Sequence, residues 1–235
     1  AKSQIEKQEK IIGKKIPKNV KKNTVYRNEY YHEYIWFYTT KGNLVIGGKN
    51  SSQNEKIVKK YMMRATRYFH CELGGSGSFL WIPSSSDEKG DDKEMREVAD
   101  AVLTYSTHRS GRVYWINPFN DTSGKQQVSK TAPSGLSLGG KGSFMVTGKG
   151  EKIYVPTVSF DFGIVEINRD SKGAEIMVAP YRVVKEIKGP KIKLFDNGEQ
   201  LNRKKINKII KNTLFTKNVD NIHYPNLGGT TVVKK

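Results

Sequence analysis

Apolar residues along the chain fall into short alternating or continuous runs separated by Gly, Asn and Lys, the pattern of strands joined by turns. Residues 35–38 (IWFY) and 44–46 (LVI) flank Lys41-Gly42-Asn43, which predicts a hairpin. Further strands are expected at 68–73, 78–82, 113–116, 143–147, 152–155 and 160–167, and VKEIKGPKIKLF beyond Pro180 alternates in the same way. Elsewhere the period changes to that of a helix. Ser52 and Glu55 have the spacing of a capping box, opening a helix with Ile57, Val58 and Tyr61 on its apolar stripe and running to about Met63. Asp91 or Asp92 can cap a second, in which Met95, Val98, Ala99, Val102, Leu103 and Ser106 recur at helical spacing. A third, from Leu201 to Leu214, carries Ile206, Ile209 and Ile210 on one side and cations elsewhere. Together these predict an α+β fold: a mixed or antiparallel sheet with packed helices, flanked by basic N- and C-terminal extensions. Between the strands at 113–116 and 143–147 lies the connection 117–142, rich in Gly, Ser, Lys and Pro. A loop of that length in a compact domain is expected to be functional or disordered.

Charge changes the picture from fold to partner. The 235 residues carry 41 Lys and Arg against 23 Asp and Glu, a formal net charge of +18. Residues 182–235 alone hold 13 basic and four acidic residues, half of that excess, whereas 35–181 are nearly balanced with 19 and 15. The expectation is a packed body with arms that meet a polyanion, an acidic membrane surface being the lesser alternative. No run approaches the roughly 20 apolar residues of a membrane-crossing helix, and the first residues have no apolar block to serve as a signal peptide. Cys71 is alone, so an intrachain disulfide and a cysteine zinc cluster are both excluded, in keeping with a reducing compartment. The chain opens at Ala1 with what reads as the end of a charged helix, so residues 1–29 are expected to be the end of a coiled coil and a basic linker of a longer protein.

Enzymatic constellations are incomplete. His70 and Cys71 are neighbours on a strand and point to opposite faces, so the imidazole cannot activate the thiol, and Cys71 is expected to be a small buried hydrophobe. His70 and Glu72 share a face but lack further metal-ligand or acid–base company from His32, His108 or His223. Gly135–Lys141 (GLSLGGK) approaches a phosphate-binding loop, yet Gly142 stands where a Ser or Thr would hold magnesium and the following residues are strand-like. Ser129-Lys130 is no better supported as a catalytic dyad. No catalytic residue, metal or cofactor is expected. Binding is favoured instead, because cations interleave with aromatics: Tyr26, Arg27, Tyr30 and Tyr31, then Lys125, Lys130, Lys141, Lys149 and Lys152 around the long loop. Trp36, Trp81 and Trp115 sit within strand patterns and are expected in the core.

Three segments carry a family resemblance. WFYTTKGNLVIGGKNSSQNEKIVKKY (36–61), YFHCELGGSGS (68–78) and QVSKTAPSGLSLGGKGSFMVTGK (127–149) resemble, in order, the RNA-binding module of the NFACT proteins, the family related to the nuclear export mediator factor of the ribosome quality control complex. The resemblance covers about residues 30–160. APYRVVKEIKGPKIKL (179–194) and the basic sequence after it are similar to the family's C-terminal region, giving an expected second part at 161–235. The resemblance implies an α+β module that contacts RNA and proteins of a large ribosomal subunit bearing stalled peptidyl-tRNA, and transfer RNA itself. In the whole protein it implies support of template-free tailing of the nascent chain and recruitment of an E3 ubiquitin ligase through a coiled coil of which residues 1–29 would be only the end. The implied location is cytoplasmic and ribosome-associated, with a nuclear pool, and without a membrane partner.

Position by position, the family's motifs match at Gly47-Gly48, Asn54, His70, Ser129-Lys130-Thr131 and Gly142-Ser143. The RNA-binding set this implies is Lys49, Asn54, His70, Lys125, Ser129, Lys130, Thr131, Lys141, Ser143 and Lys149. Lys49, Lys130 and Lys141 would touch phosphate, Ser129 and Thr131 would donate to phosphate or sugar, and Asn54 and His70 could instead shape a loop. Two departures mark this sequence: Cys71 stands where a small residue is usual, and THRSGRV after Ser106 is unusually basic. The alternatives are a general DNA- or RNA-binding module, a partner-docking module built on Leu201–Leu214, and an enzyme using His70 with Glu72 or Ser129 with Lys130.

Overall fold

The computed structural model describes residues 29–73, 75–118, 152–157, 159–170, 173–197, 202–214, 219 and 222–233, with the backbone alone at 128–129, 147–148, 169–170 and 173. The chain divides into two compact units, one spanning Glu33–Val158 and the other joining the residues up to His32 to Ser159–Lys235. The fold is α+β.

In the first unit the chain forms β1 (Ile35–Tyr38), β2 (Leu44–Gly47), α1 (Ser51–Tyr61), β3 (Arg67–Cys71), β4 (Phe79–Ile82), α2 (Asp92–Thr104), β5 (Val113–Ile116), the short pair β6 (Val128–Ser129) and β7 (Thr147–Gly148), and β8 (Ile153–Val155). Six strands make one sheet in the order β1-β2-β4-β3-β5-β8, each neighbour antiparallel. The hairpin expected from Gly42-Asn43 forms: Thr39 N–H donates to Asn43 O at 2.9 Å, and Gly42 takes φ 84°, a left-handed conformation costly for residues with a Cβ.

Helix α1 does not use the Ser52–Glu55 box. Its N-cap is Asn50, whose side chain accepts from Gln53 N–H at 2.9 Å while Gln53 Oε1 accepts from Lys49 N–H at 3.0 Å. The capping spacing is thus used two residues earlier, with the return bond going to the residue before the N-cap, and the helix ends at Tyr61. Helix α2 starts as expected from Asp91, which accepts from Glu94 N–H at 2.9 Å and pairs with Lys41 at 2.9 Å. Met95, Val98, Ala99, Val102 and Leu103 are buried against the sheet, each large side chain contributing about 1.5–3 kcal/mol of transfer free energy. The helix also fixes the β1–β2 turn. Glu94 Oε1 accepts from Thr39 Oγ1 at 2.6 Å and Asn43 Nδ2 at 2.7 Å, and Glu97 accepts from the Thr40 N–H at 2.9 Å and Oγ1 at 2.7 Å. Burial raises the Glu97 carboxyl above its ordinary range.

Of the three tryptophans only Trp81 is fully buried, against the expectation for all three. Trp36 lies on edge strand β1 and Trp115 on the strand beside edge strand β8, where the sheet leaves one flank of a large ring uncovered. The exposed flank of Trp115 takes the Arg67 guanidinium at 5.2 Å.

The second unit contains a single 3₁₀ turn over Tyr30–Glu33, whose last residue opens the first unit, then β9 (Phe162–Asp170), β10 (Gly173–Pro180), α3 (Tyr181–Val184), β11 (Lys191–Phe195), α4 (Arg203–Leu214) and β12 (Gly229–Val233). Its sheet is antiparallel in the order β10-β9-β11-β12. Strand β10 was not expected, and Val184-Lys185-Glu186, read as strand, ends a helical turn instead. Tyr31, a stacking candidate by sequence, is buried here: its hydroxyl donates to Glu175 Oε1 at 2.7 Å, and His32 Nε2 lies 2.9 Å from the same oxygen. Asn168 Nδ2 bonds the other oxygen. Burial alone would raise the Glu175 carboxyl, but the hydrogen bonds from His32, Asn168 and Tyr31 outweigh it and hold the group below its ordinary value. Residues 1–28, expected to end a coiled coil, lie outside the described residues.

Candidate nucleic-acid interface

Antiparallel partners directly opposite one another place their side chains on the same face of a sheet. In the first unit this rule aligns His70 with Tyr114, and Tyr114 with Tyr154, across β3, β5 and β8. Further into the sheet, Ile46, Leu80 and Tyr68 belong to that face and are fully buried, with α1 packed on β2 and β4. Toward the β8 edge the cover ends. His70 and Tyr114 are half-buried and Tyr154 is 41% exposed.

The result is a row of rings. Tyr68 stacks on His70 with centroids 6.2 Å apart, His70 meets Tyr114 edge-on at 6.3 Å, and Tyr114 meets Tyr154 edge-on at 6.1 Å. Cations cap its outer end: Lys152 Nζ lies 4.4 Å from the Tyr114 ring centre, and the Arg112 guanidinium 4.4 Å from that of Tyr154. Glu72 anchors them. Its carboxylate accepts from Tyr154 Oη at 2.5 Å and Arg112 Nε at 3.0 Å, with Lys152 Nζ at 4.0 Å. The Tyr154 hydrogen bond first, then Arg112, lowers the Glu72 pKa, and the same bond raises that of Tyr154. Burial raises Tyr114 and lowers His70, so the imidazole is neutral near pH 7. His70 Nδ1 lies 3.2 Å from Gly77 O, a carbonyl that can only accept, so this nitrogen carries the proton. Nε2 is left with a lone pair. Chemically the surface offers π-faces to bases, two cations to phosphates and an imidazole acceptor to a hydroxyl or base N–H.

The residues singled out from sequence are placed differently from one another. His70 is the centre of the row. Asn54 acts on the backbone beside it: its Oδ1 accepts from Ser78 N–H at 2.9 Å, on the same peptide whose Gly77 carbonyl faces His70 Nδ1. Gly48 packs so closely on that amide that a Cβ there would collide with Asn54 Oδ1. Gly48 thus admits a side-chain carbonyl between two loops, while Gly47 makes room for the Phe79 ring. Lys49 Nζ donates to Glu33 O at 2.8 Å, beside Gln53 Nε2 at 3.0 Å on the same carbonyl, and partial burial lowers its pKa. Ser129 is described by its backbone alone, in β6 opposite Thr147 of β7. Lys125, Lys130, Thr131, Lys141, Ser143 and Lys149 lie outside the described residues, as does most of the strand expected at 143–147. Cys71 is buried, its thiol 3.4 Å from Ser110 O and on the opposite face from His70. Among the described residues no three His, Cys, Asp or Glu side chains group to hold a metal ion, and no helix is long and apolar enough to cross a membrane.

Sequence reasoning missed Tyr114, Tyr154 and Arg112. The alternation in VYWI and KIYV sets each tyrosine apart from its strand neighbours, but only the register brings them beside His70.

Known proteins match this same region. The family model described as the NFACT protein RNA binding domain matches residues 33–148. The ribosome quality control complex subunit NEMF homolog of Drosophila melanogaster is 34% identical over 139 residues, which are 57% of this chain and 13% of that protein. The ribosome quality control complex subunit NEMF of Homo sapiens is 34% identical over 124 residues, 51% of this chain and 11% of that protein. The archaeal Rqc2 homolog aRqcH of Methanocaldococcus jannaschii is 28% identical over 180 residues, 74% of this chain and 25% of that protein. The chain therefore spans a quarter or less of the length of these relatives. With an RNA-binding domain matched across the β1–β5 body and relatives of one kind in animals and archaea, the chain belongs, through residues 33–148, to the NFACT protein RNA binding domain family.

Proposed function

We propose that this chain is the RNA- and ribosome-binding portion of a ribosome quality control factor, acting by recognition rather than by catalysis. The observation that carries the reading is the His70–Tyr114–Tyr154 row with Lys152 and Arg112 at its exposed end, in the unit that holds the matched RNA-binding domain. In this reading unpaired bases stack on Tyr154 and Tyr114, Lys152 and Arg112 meet phosphates, and His70 Nε2 accepts from a 2′-hydroxyl or base N–H. Lys125, Lys130, Lys141 and Lys149 add phosphate contacts, and Ser129, Thr131 and Ser143 donate to phosphate or sugar. Asn54 and Lys49 serve it indirectly, by holding the Gly48 loop and the start of α1.

The particle recognised is a large ribosomal subunit carrying stalled peptidyl-tRNA, in the cytoplasm, and the full-length protein couples this binding to nascent-chain tailing and to ubiquitin-ligase recruitment. The relatives' names support the ribosome quality control part of that reading. It is tested by sedimenting the chain with large subunits, empty or bearing peptidyl-tRNA, across a salt series with duplex DNA as competitor. Preferential pelleting with tRNA-bearing subunits, resistant to DNA, is expected. Equal binding to both subunits and to DNA, lost at moderate salt, would leave only a general nucleic-acid-binding module.

A further inference from the structure

Helix α4 places most of its charge against local preference, only Lys211 in its last turn being favoured by the dipole. Arg203, Lys204 and Lys205 occupy its first turn with no acid among them, where the positive end of the helix dipole repels cations. Lys204, Lys208 and Lys211 then follow at i, i+4 and i+7, a spacing that sets like charges side by side. Arg203, Lys204, Lys205, Lys208 and Lys211 are all exposed, and among the described residues none of the four lysines meets a carboxylate. The helix is nevertheless well built. Asn202 Oδ1 accepts from Lys205 N–H at 3.1 Å, and Ile206, Ile210 and Leu214 are buried as the helix packs on β11 and β9. Arg203 lies 4.9 Å from the ring centre of Tyr224, a buried residue whose hydroxyl donates to Asn207 Oδ1 at 2.7 Å. A rigid, correctly capped helix that gathers uncompensated cations is disfavoured until a polyanion lies on it.

We propose that the α4 face formed by Lys204, Lys208 and Lys211, flanked by Lys205 and Arg203, is a second RNA-phosphate site, outside the matched domain and in the other unit. The three lysines fall within about 60° of the helix circumference and span about 10 Å of its axis, a reach of about three phosphate-to-phosphate steps at the roughly 3.4 Å per residue of one strand along a duplex axis. RNA is favoured over a membrane because the apolar side that would enter a lipid interface is already occupied by this unit's own sheet. That burial also answers the expectation that Ile206, Ile209 and Ile210 dock a partner helix: Ile206 and Ile210 are spent within the fold. The choice of RNA rests on the reading of the chain as an RNA-binding protein; the site itself owes nothing to the stacking assigned to Tyr114 and Tyr154.

The test is fluorescence anisotropy of a labelled oligouridylate with the full chain and with K204Q/K208Q/K211Q, across a potassium chloride series. Loss of three single-strand phosphate contacts should flatten the salt slope by about 2 and weaken binding about 100-fold near 0.1 M salt, while K204R/K208R/K211R restores both. In the unmodified chain, bound oligonucleotide should protect these three amines from acetylation, a readout that needs no variant to fold. Unchanged affinity and slope in the Gln variant, or no protection, overturns the α4 site while wild-type binding still supports the proposed function. Failure of wild-type chain to bind any RNA overturns both. Loss of binding to phosphatidylserine vesicles with RNA affinity intact overturns the site in favour of a membrane.

Discussion

Replacing Tyr154 with alanine separates stacking from charge. The ring is 41% exposed, with Arg112 at 4.4 Å and Tyr114 edge-on at 6.1 Å, so a base can add to the free surface. Base–aromatic stacks lose about 1–3 kcal/mol on alanine substitution, which converts to about 5- to 150-fold in Kd at about 1.4 kcal/mol per tenfold. Because no ammonium or guanidinium is removed, the salt slope of binding should stay where it was. Lys152→Gln should do the opposite, flattening the slope by about 0.7 as one single-strand phosphate contact is lost. Tyr154→Phe keeps the ring and deletes only the hydroxyl that bonds Glu72, so its Kd should stay within about twofold of wild type, a difference of under half a kcal/mol. Anisotropy with a single-stranded RNA, alongside thermal melts to confirm folding, reads all three. A folded Tyr154→Ala chain with wild-type affinity, or one whose loss is entirely in the salt slope, would refute the stacking role.

Two further predictions concern the supports. Asn54→Ala leaves the part-buried Ser78 N–H without its acceptor and should cost about 1–3 kcal/mol, read as a lower urea midpoint; Gly48→Ala perturbs the same contact, so the two costs should add to less than their sum. Glu175 is held below its ordinary pKa despite burial, through His32, Asn168 and Tyr31, so its contribution is present above the unfolded carboxyl value of about 4.3 and lost as pH falls through the lower folded value. Glu175→Gln should therefore melt lower than wild type at neutral pH, with the gap closing as the medium is acidified below that value; a gap constant with pH would contradict the linkage.

Much of the fold is legible because local pattern and burial agree. The strands at 35–38, 79–82 and 113–116 and the apolar face of α2 follow from periodicity alone. Strand β10 does not, because residues 174–180 are buried on both sides and so show no alternation; GAEIMVAP reads equally well as a buried helix or a loop before Pro180. The N-cap of α1 failed for a different reason. NSSQNE holds several residues able to cap, two of them in reciprocal pairs at the same spacing, and the choice of Asn50 over Ser52 depends on where β2 delivers the chain.

The two candidate surfaces show what local pattern leaves undetermined. Alternation tells which side of its own strand Tyr114 or Tyr154 takes, but a row of rings across strands also needs the order β3-β5-β8 and the pairings His70↔Tyr114 and Tyr114↔Tyr154. Those are long-range facts, with residues 117–152 separating β8 from β5 in the sequence. Helix α4 is the converse case. Its cations are plain in the sequence, yet they are equally consistent with a helix that offers Ile206 and Ile210 to a partner or membrane and one that spends them internally. Packing on β11 and β9 decides this, and leaves the lysine stripe on the exposed side of the helix. A cation-only surface attracts phosphates without reading bases, whereas the Tyr114–Tyr154 face can respond to unpaired bases with little dependence on salt. Removing the α4 lysines should therefore take away salt-steep affinity only, whereas removing the Tyr154 ring should take away a salt-tolerant stacking part and leave the phosphate contacts of Lys152 and Arg112 in the slope, each loss occurring without the other.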